Sequence, residues 1–120
     1  MVVIDDEALQ AEALAMLLRA YGIRASYESK PEVALDRVLS KRPDALVLDA
    51  KMPGLSGQDL LATVREHHPK LPAVIVTGYE DHDPRVHPML EMDLVRYVPK
   101  PVAMPQLFAT LQTLLARRRA

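Results

Sequence analysis

The chain has 120 residues, of which 49% are hydrophobic, enough for one ordinary hydrophobic core and too few for two domains. Its 15 basic and 16 acidic residues give a formal net charge of −1, so the chain lacks the broad positive field through which proteins bind nucleic acids or membrane surfaces. The absence of cysteine excludes disulfides, thiolate metal sites and thiol redox chemistry, and because no apolar stretch has membrane-spanning length either, we expect a cytoplasmic protein.

Short apolar runs alternate with longer amphipathic stretches, which predicts repeated strand–helix units around a mainly parallel sheet. The first strand is predicted over Val2–Ile4 and the first helix over residues 7–21, with Gly22 in the left-handed conformation that often ends a helix. A weak second strand at residues 24–27 precedes Ser-Lys-Pro-Glu at residues 29–32, a capping-box pattern with proline in the first turn. This pattern predicts the start of the second helix at Ser29.

The second helix is predicted to stop before Pro43, and a buried third strand follows at residues 45–48. A loop at residues 50–57, rich in proline and glycine, separates this strand from a third helix that ends before Pro69. The fourth strand is predicted to end at Thr77, so that strand and helix have alternated three times by this point.

The last part of the chain contains its least regular segment, residues 78–93. Pro88 removes a backbone donor there, which predicts a short or distorted fourth helix. A fifth strand at residues 94–98 precedes a final helix with a regular leucine stripe and three arginines at its end. Five such units predict a flavodoxin-like (βα)5 three-layer sandwich, whose central parallel sheet has the strand order 2-1-3-4-5.

Polar side chains stand where the predicted strands end, and they are Asp5, Asp6, Asp49, Thr77 and Lys100. Open α/β sheets bind ligands at this edge, here at the switch between the first and third strands. Clustered carboxylates repel one another and favour a divalent cation; with oxygen ligands alone, Mg²⁺ is the natural choice and Mn²⁺ the alternative. A metal, a lysine, a hydroxyl and a free carboxylate are the groups needed to receive a phosphoryl group.

Together these residues resemble the receiver domains of two-component response regulators, of the chemotaxis-receiver kind. The resemblance covers the whole chain and rests on the acids at residues 5–7, Asp-x-x-Met-Pro-x-x-x-Gly at residues 49–57, Thr77-Gly78, and Tyr-x-x-Lys-Pro at residues 97–101. It implies a bacterial signalling phosphoprotein in a phosphorelay, with a histidine kinase or phosphotransfer protein as donor and a downstream output domain or protein as reader. Such a protein catalyses only its own phosphorylation and dephosphorylation and is not an enzyme with an external substrate.

The resemblance also implies a role for each residue. Asp49 would be the phosphoacceptor that becomes an aspartyl phosphate. Asp6 and Asp49 would ligate Mg²⁺ together with the main-chain carbonyl of Lys51, and Asp5 would act mainly through a metal-bound water. Lys100 would pair with the phosphoryl group.

Thr77 and Tyr97 are implied to form the switch. In receivers the threonine hydroxyl turns toward a phosphoryl oxygen, the aromatic side chain moves into the released space, and the face formed by helix 4, strand 5 and helix 5 responds; homodimers form through the same face. Lys51 and Tyr79 occupy positions that flank the phosphoryl group and influence how long it lasts. The bond before Pro101 is similar to one that is cis in the family, and a cis bond there costs only about 0.5–1 kcal/mol.

Two other functions stay open at this point. A Mg²⁺-dependent phosphohydrolase would also use Asp49 as nucleophile, but its usual second acid stands two residues later, where this chain has Lys51. The other alternative is a receiver-like interaction module that works without phosphate. The intact set of acids argues against such a module, whereas the irregular segment at residues 82–88 leaves it open.

Met1 stands directly before the first predicted strand and Ala120 directly after the last predicted helix. We therefore expect residues 1–120 to be a single receiver domain, either excised from a longer protein or acting as a single-domain regulator. The four histidines and the terminal arginines are interpreted as solvated groups, since no histidine pair has the i, i+4 spacing of zinc ligands on a regular helix.

Overall fold

The computed structural model describes residues 1–52 and 55–119. Pro53 of the predicted motif, Gly54 of the predicted loop and Ala120 lie outside the described residues. The strands are β1 (Val2–Ile4), β2 (Ser26–Glu28), β3 (Leu46–Leu48), β4 (Ala73–Thr77) and β5 (Val95–Pro99). The helices are α1 (Ala8–Ala20), α2 (Pro31–Lys41), α3 (Gly57–His67), α4 (His87–Leu90) and α5 (Met104–Arg119).

The strands form one parallel sheet in the order β2-β1-β3-β4-β5, which confirms the predicted flavodoxin-like topology. Ile4 pairs with Leu48, and Leu48 pairs with Ile75, so the central strands reach the same edge of the sheet in register. The loops that follow β1 and β3 lie side by side there, although β2 separates the two strands in the chain. This is the switch point at which open α/β sheets bind ligands.

Helices cover both faces of the sheet. Successive strand residues point to opposite faces, and two separate hydrophobic clusters result. One cluster joins the sheet to α2, α3 and α4 and includes Ile4, Leu48, Ile75, Val38, Leu60, Leu61 and Met89. The other joins it to α1 and α5 and includes Val3, Val47, Val74, Ala15, Leu18, Leu107 and Leu111. Burial of one large aliphatic side chain contributes about 1.5–3 kcal/mol to folding stability. These two clusters therefore hold in place the strands whose ends carry the polar residues.

The predicted capping box at the start of α2 is wrong. Lys30, not Ser29, is the N-cap residue, and no side chain caps the helix. Proline favours the first helical position, which Pro31 occupies, and this moves the helix start one residue along the chain. The Glu28 carboxylate instead accepts the backbone N–H groups of residues 29 and 30, at 3.1 and 3.2 Å. The end of α1 does match its prediction, because Gly22 has a φ of +82°.

The segment between β4 and β5 is irregular, as predicted. Its helix, α4, has four residues and begins with Pro88 in its first turn. Before the helix, the Asp83 carbonyl accepts the backbone N–H groups of Val86 and His87 at 2.8 and 2.9 Å. Val86 and Met89 are buried and attach the segment to the core. Within residues 1–52 and 55–119, none of the helices combines the length and apolarity that crossing a membrane requires.

Candidate functional site

Three carboxylates meet where β1 and β3 end. One oxygen atom each from Asp5, Asp6 and Asp49 lies within 4.8 Å of the others. The adjacent, in-register ends of β1 and β3 bring residue 5 beside residue 49. Asp5 and Asp49 are buried, with 6% and 8% of their surface exposed, whereas Asp6 is exposed. The cluster is therefore open to solvent on the side of Asp6.

The two buried carboxylates are oriented by the same local device. Oδ1 of Asp5 accepts the backbone N–H of Glu7 at 3.0 Å, and Oδ1 of Asp49 accepts the backbone N–H of Lys51 at 3.0 Å. An aspartate that bonds the backbone two residues ahead holds both its own rotamer and the turn that follows it. The other oxygen of each carboxylate is left to face the centre of the site.

Lys100 occupies that centre. Its Nζ donates to Oδ2 of Asp5 at 3.1 Å, to Oδ2 of Asp49 at 3.2 Å and to Oε1 of Gln10 at 2.9 Å. Its backbone N–H donates to the Thr77 carbonyl at 2.9 Å, which ties the lysine to the end of β4. Burial lowers the pKa of the Lys100 ammonium, but the hydrogen bonds and charges of Asp5 and Asp49 more than offset this and hold the pKa above its ordinary value.

One lysine does not balance three carboxylates. Partial desolvation raises the pKa of Asp6, and the neighbouring charge and hydrogen bond of Asp5 and the charge of Asp49 raise it further. When all three acids are ionised, the ammonium of Lys100 leaves two negative charges uncompensated. A divalent cation would remove this excess, and the oxygen-only donor set suits a hard ion such as Mg²⁺.

The hydroxyls of Thr77 and Tyr97 both bond to the backbone of Tyr79. The Thr77 side chain is buried, and its Oγ1 accepts the Tyr79 N–H at 3.2 Å. Oη of half-buried Tyr97 donates to the Tyr79 carbonyl at 2.7 Å. Burial raises the pKa of Tyr97, and so do the charges of Asp81 and Glu80, which keeps the hydroxyl protonated and able to donate.

α3 begins close against the loop that carries Asp49. A Cβ atom on Gly57 would lie 3.2 Å from the Asp49 carbonyl oxygen and 3.3 Å from the Ala50 Cα, closer than side chains usually approach a backbone. Glycine therefore allows the close approach. Ser56 caps the helix, since its hydroxyl oxygen accepts the backbone N–H of Asp59 at 3.1 Å. These contacts account for the spacing between the aspartate and the glycine of the motif.

A cavity of about 360 Å³ opens over this arrangement. Its lining consists of Glu7, Gln10, Asp49, Lys51, Thr77, Gly78, Tyr79 and Lys100. The cavity lies between α1 and the loop after β4 and reaches Asp49. Asp49, Thr77 and Lys100, each predicted from its place after a different strand, line this one space.

Most of the residues predicted for the site lie together in the structure, and two observations refine the picture. The Lys100–Pro101 peptide bond is cis. Gln10, which the sequence reasoning missed, contacts Lys100 and also donates from Nε2 to Oε2 of Glu7 at 2.8 Å. Its only signal in the sequence is a position in the first turn of the helix that follows the acidic pair, three residues after Glu7.

A family model described as the response regulator receiver domain matches residues 1–112 of the chain. The chain belongs to the response regulator receiver family. This confirms the resemblance found in the sequence motifs and makes the chain a receiver domain of a two-component response regulator. Receiver domains of this family are signalling proteins and not classical enzymes.

Individual relatives agree with this assignment. The receiver is 34% identical over 118 residues to response regulator MprA of Mycobacterium avium (strain 104) and to MprA of Mycobacterium tuberculosis (strain H37Rv), a match that covers 98% of this chain and 51% of each relative. The chain thus spans about half the length of the curated relatives it matches.

Solved structures agree as well. A response regulator receiver domain protein from Clostridium thermocellum superposes with a TM-score of 0.88 at 28% identity, over 98% of this chain and 94% of the other. The receiver domain of hybrid histidine kinase CckA gives a TM-score of 0.76 at 26% identity, over 95% of this receiver and 96% of that chain. Both solved chains, one of them the receiver domain of a hybrid histidine kinase, share the fold of this receiver.

Proposed function

We propose that this receiver accepts a phosphoryl group on Asp49 from a histidine kinase or phosphotransfer protein, with Mg²⁺ held by the acidic cluster. The observation that carries the proposal is the contact of Lys100 Nζ with the buried carboxylates of Asp5 and Asp49, beside a cavity that Asp49 and Lys100 line. A nucleophilic carboxylate, a fixed cation and a nearby acidic cluster are what phosphoryl transfer to aspartate requires.

In the transfer, an Asp49 carboxylate oxygen forms a bond to phosphorus while the bond from phosphorus to the donor's histidine nitrogen breaks. The Lys51 N–H holds one Asp49 oxygen, which limits the rotamers of the nucleophile. Lys100 already lies 3.2 Å from the other oxygen, where its charge stabilises the additional negative charge of the phosphoryl group.

Asp6, Asp49 and the Lys51 carbonyl would hold Mg²⁺, with Asp5 acting through a bound water. When bound, the ion neutralises negative charge on the cluster and on the phosphoryl oxygens. The fit rests on the donor set, since the three carboxylates of the cluster offer oxygen ligands within 4.8 Å of one another. Mn²⁺ prefers the same hard oxygen ligands and is the alternative ion.

We propose that Thr77 and Tyr97 report the phosphoryl group to the face formed by α4, β5 and α5. The Thr77 hydroxyl oxygen now accepts a hydrogen bond, so its proton is available to a phosphoryl oxygen. A movement of Thr77 would disturb the backbone of Tyr79, to which Tyr97 is bonded. The phosphoryl group can shift the receiver between two packings only through its different interaction with each.

The named relatives are about twice as long as this chain. We propose that an output domain or a separate output protein binds the face formed by α4, β5 and α5, and that homodimers form there. No direct contact of this domain with nucleic acid or membrane is part of the proposal, because the chain has no strong positive field. Two-component signalling of this kind takes place in the cytoplasm, where we place the receiver.

The intact mass of the chain after incubation with acetyl phosphate tests this function. The native chain is expected to gain a single phosphoryl group in the presence of Mg²⁺ and none after chelation. Asp49→Asn is expected to keep its fold and gain none. If the native chain acquires no group and binds neither Mg²⁺ nor beryllofluoride, the receiver works as a phosphate-independent interaction module, the alternative that the short α4 leaves open.

A further inference from the structure

The side chain of Arg85 is fixed on two sides. Its Cζ lies 3.6 Å from the centroid of the Tyr79 ring, in a stacked cation–π contact. Its Nε and Nη2 donate to the two oxygens of Asp83 at 2.8 and 2.7 Å, and its backbone N–H donates to the same carboxylate at 2.9 Å. The hydrogen bonds from Arg85 lower the pKa of Asp83 to about 2, so the ion pair persists throughout the neutral range.

The loop that carries Arg85 is itself anchored. Nε2 of Gln58, on α3, donates to the Pro84 carbonyl at 2.9 Å. Val86, the next residue after Arg85, is fully buried. The loop that carries Arg85 is therefore held both by α3 and by the hydrophobic core.

Tyr79 lies on the boundary between two cavities. One is the cavity of about 360 Å³ that contains Asp49 and Lys100. The other, of about 640 Å³, lies between α3 and the loop after β4, and its lining includes Asp6 and Arg85. Tyr79 and Lys51 are the residues common to both linings. Tyr79 therefore stands between the second cavity and the cavity that contains Asp49.

We propose that Arg85 is a positioning residue that holds the Tyr79 ring at this boundary and thereby prolongs the life of phosphorylated Asp49. The inference rests on the proposed phosphorylation. Loss of the phosphoryl group requires a water oxygen to bond to phosphorus as the bond from phosphorus to the Asp49 oxygen breaks; inorganic phosphate leaves with the protons of the water, and the carboxylate is restored. A ring held at the boundary narrows the path of that water, whereas a free ring leaves it open.

The test is the rate at which the phosphorylated chain loses its phosphoryl group after acetyl phosphate is removed, followed by intact mass at constant Mg²⁺. Arg85→Gln is expected to lose the group about two to five times faster than the native chain, the ratio that an exposed cation–π contact supports. Arg85→Lys keeps a cation over the ring and is expected to restore part of the difference. Arg117→Gln removes an exposed arginine from the far end of α5 and is expected to leave the rate unchanged.

A double variant separates positioning from a general effect on the fold. Tyr79→Ala is expected to accelerate the loss by itself, and Arg85→Gln added to it is expected to have no further effect. The inference would be overturned if Arg85→Gln lost the phosphoryl group at the native rate. It would also be overturned if Arg85→Gln accelerated the loss equally in the native chain and in Tyr79→Ala. A native chain that takes up no phosphoryl group would overturn the proposed function as well, so the two failures are distinguishable.

Discussion

The ammonium of Lys100 lies 3.2 Å from Oδ2 of Asp49, although 51 positions separate the two residues in the chain. A comparable distance, 3.1 Å, joins it to Asp5. Two buried carboxylates therefore share one cation that is 28% exposed. Removal of the cation would leave both carboxylates without this partner in a poorly solvated place.

Lys100→Ala is accordingly predicted to destabilise the metal-free chain. The decrease in the free energy of unfolding should be smaller than the roughly 3–5 kcal/mol that is typical when one partner of a fully buried ion pair is removed, because solvent reaches the lysine. Mg²⁺ should still bind and recover much of the loss, while the conformational response to phosphorylation weakens. Urea unfolding with and without Mg²⁺ measures this, with Lys70→Ala as a surface control. Equal stability of Lys100→Ala and the native chain without metal would contradict the assignment.

Asp6→Asn is predicted to stabilise the metal-free chain at neutral pH and to weaken Mg²⁺ binding. The raised pKa of Asp6 means that folding opposes its ionisation. The native residue therefore costs stability progressively as the pH rises above the ordinary aspartate pKa, and in full above its raised folded-state pKa. The advantage of the variant should shrink as the pH falls and disappear below the ordinary aspartate pKa of about 3.9. The measurement is the melting temperature of both metal-free chains between neutral pH and pH values below the ordinary aspartate pKa. A difference in favour of Asp6→Asn that grows as the pH falls would contradict the raised pKa of Asp6.

Tyr97→Phe is predicted to uncouple β5 from the loop after β4. The substitution removes the 2.7 Å hydrogen bond to the Tyr79 carbonyl and keeps the ring. We expect the free energy of unfolding to fall by about 0.5–1.5 kcal/mol. Phosphorylation of Asp49 should persist, but the NMR shift changes that beryllofluoride causes in α4, β5 and α5 should diminish. Tyr27→Phe, on β2 at the opposite edge of the sheet, is the control. Undiminished changes in Tyr97→Phe would remove this residue from the switch.

Gln10→Ala is predicted to alter the rate of phosphorylation without abolishing it. The variant loses the 2.9 Å contact that holds Lys100 from the side of α1, and an exposed hydrogen bond of this kind contributes about 0.5–1.5 kcal/mol. We expect a reduction of roughly tenfold or less in the rate with acetyl phosphate. Gln112→Ala, on the exposed surface of α5, provides a matched control. An unchanged rate in Gln10→Ala would leave the glutamine without a role in the site.

Strand positions and strand-end residues could be predicted because their signal is local. β1, β3 and β4 are buried throughout, and Asp5, Asp49 and Thr77 stand at the ends of these three strands. Parallel pairing in register then brings these ends together without further information. The start of α2 was predicted one residue early, because two local preferences competed and the preference of Pro31 for the first helical position prevailed over the cap at Ser29.

Contacts that depend on three-dimensional packing could not be predicted in the same way. Gln10 reaches Lys100 only because of the rotation of α1 about its axis, which is set by the buried alanines and leucine of that helix. The stacking of Arg85 on Tyr79 depends on turns between β4 and α4 that have no hydrophobic periodicity. Both contacts involve exposed or half-buried polar side chains, for which sequence patterns carry little positional information.

The identity of the carboxylate that carries the phosphoryl group tests the proposed function most directly. The native chain would be phosphorylated with acetyl phosphate and Mg²⁺, the acyl phosphate reduced with borohydride to homoserine, and the position of homoserine read by tandem mass spectrometry of peptides. We predict homoserine at position 49 alone and none after chelation of Mg²⁺. Homoserine at position 5 or 6, or no conversion in a folded chain that binds Mg²⁺, would contradict phosphorylation of Asp49.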